Sequence, residues 1–251
     1  MMTKIHLLMK KEEIDQQKLN GNKTVVVFDI LLATSTITAA LEFGAKEVIP
    51  VLNGDEALEI AKGMNLNETI LIGEYKGATL DGFHSPNPLA LRKLVNGKTI
   101  ILSTTNGTIA LKNSLKAKKV YAASMLNSKA VANHIRQSYI DESIVLICAG
   151  SFGQFNMEDF YGAGYFIDCL LNESINLEMT DATLAALHFY RNSKEKENEI
   201  LAESRVGKIM IDYGLEEELK FISRISVSNV VPMLEMGKSI VDVKHTETTA
   251  Y

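Results

Sequence analysis

Cysteine is scarce in this chain: Cys148 and Cys169 are the only two in 251 residues. Cys148 closes an apolar run and Cys169 falls in a stretch of helical spacing, which argues against a disulfide framework, and no Cys/His spacing suits zinc. Dense stripes of Lys and Arg are also missing, and the formal net charge is a mild −5, which argues against a nucleic-acid surface. The most charged run, Arg191 to Glu199, mixes both signs and reads as a solvated segment. No apolar run reaches the length of a bilayer span. The opening residues MMTKIHLLMKKEE are too short and too interrupted by charge for a signal peptide, so the expectation is a cytoplasmic protein. Familiar phosphate chemistries fail on inspection too. The second acid of a D-x-D pair after Asp29 is Leu31, neither cysteine opens a C-x5-R loop, and there is no G-x4-G-K-[ST] or strand-following G-x-G-x-x-G.

What is present is organised around KTIILSTTNGTIAL, Lys98 to Leu111. Thr99 to Leu102 is short, β-branched and bounded by Gly97, as a buried strand should be. It empties into Ser103, Thr104, Thr105, Asn106, Gly107 and Thr108 before Ile109, Ala110 and Leu111 resume at helical spacing. A strand that turns directly into a helix presents free backbone N–H groups, a favourable place for phosphate. The same residues could equally be no more than a helix cap and a turn.

About 72 residues upstream, VVVFDILLATSTITAALEFGAKEV follows the same grammar, with Thr36 on Thr108, Ile37 on Ile109, Ala45 on Ala117 and Val48 on Val120. The register runs on from Asp55 to Asn127, both expected as helix N-caps, and then to ETILIGE against ESIVLIC. The pattern predicts an α/β protein: layered sheet with flanking helices, two similar β-α-β-α-β repeats and a helical C-terminal third. Lobes at 1–96 and 97–251 are one division, a single continuous domain the other. Asp29 and Ser103 occupy equivalent strand ends, as do Glu74 and Cys148, and ligands of parallel α/β sheets bind beyond such ends.

In chain order, strands are expected at Lys4–Met9, Thr24–Phe28, Glu47–Val51, Thr69–Ile72, Thr99–Leu102, Ser143–Ile147 and Val227–Val231. Helices are expected within Leu31–Phe43 and at Asp55–Lys62, Asn127–Gln137, Met157–Leu171, Asp181–Arg191, Asn198–Ser204 and Leu215–Ile222. The tail beyond Gly237 reads as weakly specified, with fraying from Lys244 to Tyr251. EYKGATLDGFHSPNP, Glu74 to Pro88, has no helical period and carries Asp81, His84, Ser85 and Asn87. A loop of that length leaving a carboxylate-bearing strand end is expected to serve an active site.

In this order, VVVFDILLATSTI, STTNGT and CAGSFGQFNMEDFYGAG resemble the 2-phosphosulfolactate phosphatase family over roughly Thr24 to Pro232. The resemblance implies an α/β, magnesium-dependent phosphatase that cleaves the phosphate monoester of 2-phospho-3-sulfolactate, a step of coenzyme M biosynthesis. It points to Asp29, Thr34, Ser35 and Thr36, to Glu74, to Thr105, Asn106 and Gly107, and to Cys148, Glu158 and Asp159. Asp29, Glu74, Cys148 and Asp159 are the candidate catalytic groups. Thr34–Thr36 and Thr105–Gly107 are the phosphate-binding candidates, and Asp29, Glu74, Glu158 and Asp159 the magnesium candidates. A metal-bound water or the Cys148 thiol could be the nucleophile. The expected partner is a small phosphoester, with a homodimer allowed and neither nucleic acid nor membrane expected.

The chain departs from the family pattern in three places. Leu32 stands where the family usually has arginine, Tyr75 stands where G-E-R is usual, and the loop reads Gly82-Phe83-His84-Ser85-Pro86-Asn87 in place of G-F followed by G-N-S-P. Arginines are the natural clamps for phosphate and sulfonate, so Lys76 and Arg92 become the cations to watch. A relative that binds a small anion without turning it over is the alternative.

Overall fold

The computed structural model describes residues 3–138, 143–171 and 177–244. Its strands are β1 (Thr3–Leu8), β2 (Gly21–Phe28), β3 (Glu47–Val51), β4 (Thr69–Tyr75), β5 (Ala78–Thr79), β6 (Thr99–Ser103), β7 (Ala117–Ala123), β8 (Ser143–Cys148), β9 (Leu177–Met179), β10 (Pro232–Glu235) and β11 (Ser239–Asp242). The α-helices are α1 (Ala33–Glu42), α2 (Gly54–Ala61), α3 (Pro88–Leu91), α4 (Gly107–Asn113), α5 (Ser128–Gln137), α6 (Met157–Leu170), α7 (Asp181–Asn192), α8 (Glu197–Glu203), α9 (Arg205–Asp212) and α10 (Glu216–Ile222).

One mixed sheet runs in the order β5-β4-β6-β3-β11-β10-β7-β2-β8-β1-β9. Two parallel blocks flank an antiparallel hairpin. β4, β6 and β3 form one block, and β7, β2, β8, β1 and β9 the other. Each block draws its middle strand from the other of the two similar stretches: β2 lies between β7 and β8, and β6 between β3 and β4. The hairpin β10–β11 joins the blocks, pairing Met233 with Tyr121 on one side and Ile240 with Val48 on the other.

Alternation along β2 explains the layering. Val26 and Phe28 face a core shared with α5, α6 and α7, whereas Val25 and Val27 face a second core with Ile37, Ala40 and Leu41 of α1 and Ala110 and Leu111 of α4. A strand buried on both faces reads as a continuous apolar run, which is why it was recognisable in the sequence. Most other expected elements also form within a residue or two of their sequence-based bounds.

Four details differ. The expected strand Val227–Val231 is irregular, and its strand begins at Pro232, a position where the missing N–H costs no ladder bond. The weakly specified tail instead supplies β11, whose Ile240 is fully buried. The rest of the tail, 245–251, lies outside the described residues. Helix α9, capped by the Ser204 side chain accepting from Gly207 N–H at 3.0 Å, and edge strand β9 carried no sequence expectation. Finally, Asn53 rather than Asp55 caps α2, accepting from Glu56 N–H at 2.9 Å, and Asn127 takes the expected N-cap position of α5 but turns its Oδ1 to Ser124 N–H.

Because Ile240 joins two blocks, Ile240→Ala should cost about 2–4 kcal/mol by urea unfolding. A loss under 0.5 kcal/mol would show that the hairpin is not a structural joint.

Candidate active site

Asp29 stands at the carboxyl end of β2 and is 6% exposed. Its main chain is tied to the turn that follows: Thr34 N–H and the Thr34 hydroxyl both donate to Asp29 carbonyl, at 3.0 and 2.9 Å, and Asp29 N–H donates to Thr34 Oγ1 at 3.1 Å. The side chain lies where the first residues of α1 and α4 meet. The backbone N–H groups of Ala33 and Gly107 lie beside its carboxylate and favour the charged form. The fit is so close that a Cβ on Gly107 would come within 2.5 Å of Asp29 Oδ2 and 2.4 Å of the Ala33 Cβ.

The turn therefore does bind an anion, but the anion is the protein's own. The Thr105 N–H donates to Glu74 Oε1 at 2.6 Å and the Thr105 hydroxyl to Glu74 Oε2 at 2.9 Å, while Gly77 N–H also donates to Oε2 at 2.8 Å. Glu74 thus occupies Thr105 donors that the sequence assigned to phosphate, and Asp29 sits close against Gly107. Thr104 and Thr108 form a reciprocal cap, each side-chain oxygen accepting from the other's backbone N–H at 3.1 and 3.0 Å. The hydroxyls of Thr34, Ser35 and Thr36 are buried against backbone carbonyls of Asp29, Ile30 and Leu32, and Thr36 also donates to Pro86 carbonyl at 2.5 Å. In this geometry they brace the turn instead of facing an open cradle. The Leu31–Leu32 peptide bond within it is cis.

Asp159 and Glu158, in the first turn of α6, are each 1% exposed. Asp159 crosses to the Asp29 segment, accepting from Ile30 N–H at 2.9 Å and from Gly150 N–H at 3.0 Å. Glu158 differs: its Oε1 is buried and meets no hydrogen-bond donor. Ser204 and Arg205 lie beside it and favour its charged form, but burial outweighs them and raises its pKa. Burial likewise pushes the Asp29 carboxyl up to about 7, reinforced by the negative charges of Glu74 and Glu158 and opposed by the two N–H groups beside it. Asp159 rises for the same reason, with Asp29 and Glu158 adding to burial. Cys148 is fully buried in β8, and desolvation with the nearby acids drives its thiol well above the ordinary range. The expectation of an activated thiolate meets an environment that holds the proton on sulfur.

The cations of this edge went unnoticed in the sequence. Parallel pairing of β1 with β8 carries the next residues past the sheet, where Lys11 N–H donates to Ala149 carbonyl at 3.2 Å. The Lys11 side chain, 12% exposed, bonds Asn106 Oδ1 at 2.8 Å and pairs with Glu12 at 2.9 Å. Lys10 Nζ donates to Gly153 carbonyl at 3.0 Å. Arg205 donates to the Ser151 carbonyl at 3.1 Å and to the Ser151 hydroxyl, with its guanidinium 5.0 Å over Phe152. Of the two cations expected to matter, Lys76 rests over the exposed Tyr75 ring at 5.1 Å, with its N–H on Thr105 Oγ1. Arg92 stacks on Phe43 at the opposite end of α1 and belongs to another surface. The Glu74–Pro88 loop folds back along β4, with His84 N–H on Leu71 carbonyl and Gly73 N–H on His84 carbonyl, which leaves His84 and Asp81 on the surface.

Among the described residues no three His, Cys, Asp or Glu side chains form a ready-made metal cluster. Magnesium asks for less, one or two carboxylates with water and substrate phosphate completing the shell. The orphaned Glu158 Oε1 and the desolvated Asp29 carboxylate fit that demand. Glu74 and Asp159, with both oxygens already on backbone donors, fit it less well.

A sequence model of a family described as 2-phosphosulpholactate phosphatase matches residues 8–237. The chain belongs to this family. A probable 2-phosphosulfolactate phosphatase of Clostridium perfringens is 41% identical over 239 residues, covering 94% of this chain and 95% of that protein. Its counterpart in Clostridium acetobutylicum is 36% identical over 237 residues, covering 94% of this chain and 99% of the relative. The family's match spans both parallel blocks of the sheet and includes Asp29, Glu74, Glu158 and Asp159. No helix among the described residues is long and apolar enough to cross a membrane.

Proposed function

We propose that the chain hydrolyses a small acidic phosphate monoester, 2-phosphosulfolactate or a related phospho-acid, with magnesium as cofactor. The observation that carries the proposal is the buried carboxylate group at one sheet edge, with Asp29 raised to about 7 at its centre. A carboxyl balanced near neutrality exchanges its proton at working pH, as general acid–base catalysis requires.

In this reading Asp29 holds the proton that passes to the leaving alkoxide oxygen, or accepts one from the attacking water. Glu158 shares the buried site and its unpartnered Oε1 would hold magnesium, which when bound supplies neutralising charge for the phosphoryl oxygens. Asp159 fixes the Ile30 and Gly150 backbone and so sets the spacing between β2 and α6. Lys11, oriented by Asn106, offers a cation at the α4 turn to an acidic substrate.

A second reading has one specific support. Leu32 and Tyr75 leave the site without the family's usual arginines, and the Thr105 N–H of the turn is engaged by Glu74. A binding relative would tolerate both. The deciding experiment is phosphate release from a panel of small phosphomonoesters, including 2-phosphosulfolactate and phospholactate, with magnesium or with EDTA. The phosphatase predicts magnesium-dependent turnover of at least one acidic ester. Absence of turnover across the panel would favour the binding reading.

A further inference from the structure

A second place in the molecule is built for an anion. At the carboxyl-terminal half of α1, against α10 and the segment that follows it, lies a cavity of about 200 Å³. Phe43 and Phe221 form one wall, with ring centroids 6.3 Å apart and planes 34° from parallel. Over these rings sit two guanidiniums, Arg92 at 5.4 Å from Phe43 and Arg224 at 5.9 Å from Phe221. Leu126 and Val227 add apolar surface.

Neither arginine makes an ion pair with an acid among the described residues. The acid that lines the cavity, Glu42, is engaged at Oε2 by the Ser228 hydroxyl at 2.5 Å. The Thr38 hydroxyl is occupied as well, between Thr34 carbonyl and Ser124 Oγ. With Glu42 as the one acid in the lining against Arg92 and Arg224, the cavity keeps a surplus of one positive charge. Each guanidinium lies within cation–π distance of a ring, which favours its place beside the cavity.

We propose that this cavity binds a small organic anion, with a carboxylate or phosphoryl group between Arg92 and Arg224 and an apolar body against Phe43 and Phe221. The volume suits a ligand the size of a substituted benzene ring. Helix α1 rises roughly 15 Å, at 1.5 Å per residue, from Ala33 beside Asp29 to Phe43 under Arg92, so the two arginines belong to a different surface from the carboxylate site. The same helix reaches both places: Thr38 and Ala39 line the cavity, and Ala33 at its first position lies beside Asp29.

Phenylphosphonate is the probe, because it carries both features and has no ester bond to hydrolyse. Calorimetric titration in EDTA should give saturable binding to the wild-type chain and to Asp29→Asn. That component should weaken at least tenfold in the Arg92→Gln/Arg224→Gln double variant, whose exposed substitutions leave the core intact. No saturable binding, equal affinity in the double variant, or loss in Asp29→Asn would each overturn the assignment. Sedimentation velocity adds one more check. A wild-type dimer that dissociates in the double variant would give the face to a second copy of the chain and also overturn it.

Discussion

In metal-free buffer, Asp29→Asn is expected to gain stability relative to the wild type as pH rises from about 4 to about 8. The Asp29 carboxyl is raised from its ordinary 3.8 to about 7, so between those values the folded chain holds a proton that the unfolded chain has released. Stability therefore falls with rising pH across that window, because the unfolded state binds fewer protons. The raised value corresponds to a contribution on the order of 4 kcal/mol, fully present below the unfolded value and lost as pH passes through the folded one. Asparagine carries no charge to desolvate, and it removes the repulsion that Asp29 imposes on Asp159. Urea unfolding in EDTA at half-unit pH steps measures the effect. Parallel wild-type and variant curves would show that Asp29 is not held protonated by the fold.

Gly107→Ala should damage stability and turnover together, because the added methyl falls against the candidate catalytic carboxylate. Its Cβ would approach Ala33 Cβ at 2.4 Å, Asp29 Oδ2 at 2.5 Å and Asp29 Cβ at 2.9 Å, all atoms of short, buried groups with no slack. Either α1 and α4 move apart or Asp29 leaves its place between them. Overpacking of this kind typically costs 1–3 kcal/mol. Displacing a reacting carboxylate by about an ångström costs on the order of a hundredfold in rate. The expected result is a folded, destabilised protein with at least that loss of turnover, read by thermal unfolding and phosphate release together. Wild-type stability and rate in Gly107→Ala would mean that the meeting of α1 and α4 is not the site.

The parallel strands were legible because they are short β-branched runs between turn residues, and strand ends pointed directly to Asp29 and Glu74. Exchange of the middle strands was not legible, since β2 and β6 bury both faces wherever they sit. The joining hairpin was hidden for a different reason. Ser239–Asp242 has only Ile240 and Val241 as apolar signal, and it follows Met236 and Gly237, both at positive φ, where methionine gives no turn cue. At the site, the grammar of the 103–108 turn correctly announced anion-binding N–H groups. It could not reveal that Glu74 takes the one on Thr105 and that Asp29 sits against Gly107, because that depends on how closely α1 and α4 converge. Lys11 and Arg205 come from elements far away in sequence, brought in by the β1–β8 pairing and by α9. The burial that pushes the Cys148 thiol up reflects the same packing, which no local motif records.

The central claim is that hydrolysis takes place at the Asp29 edge. It is tested most directly by phosphate release from 2-phosphosulfolactate with magnesium, comparing the wild type with Asp29→Asn at equal folded concentration. The account predicts turnover in the wild type and a loss of kcat of at least a hundredfold in the variant, in the range expected for removing an acid–base group. An Asp29→Asn protein that turns over at the wild-type rate would contradict it.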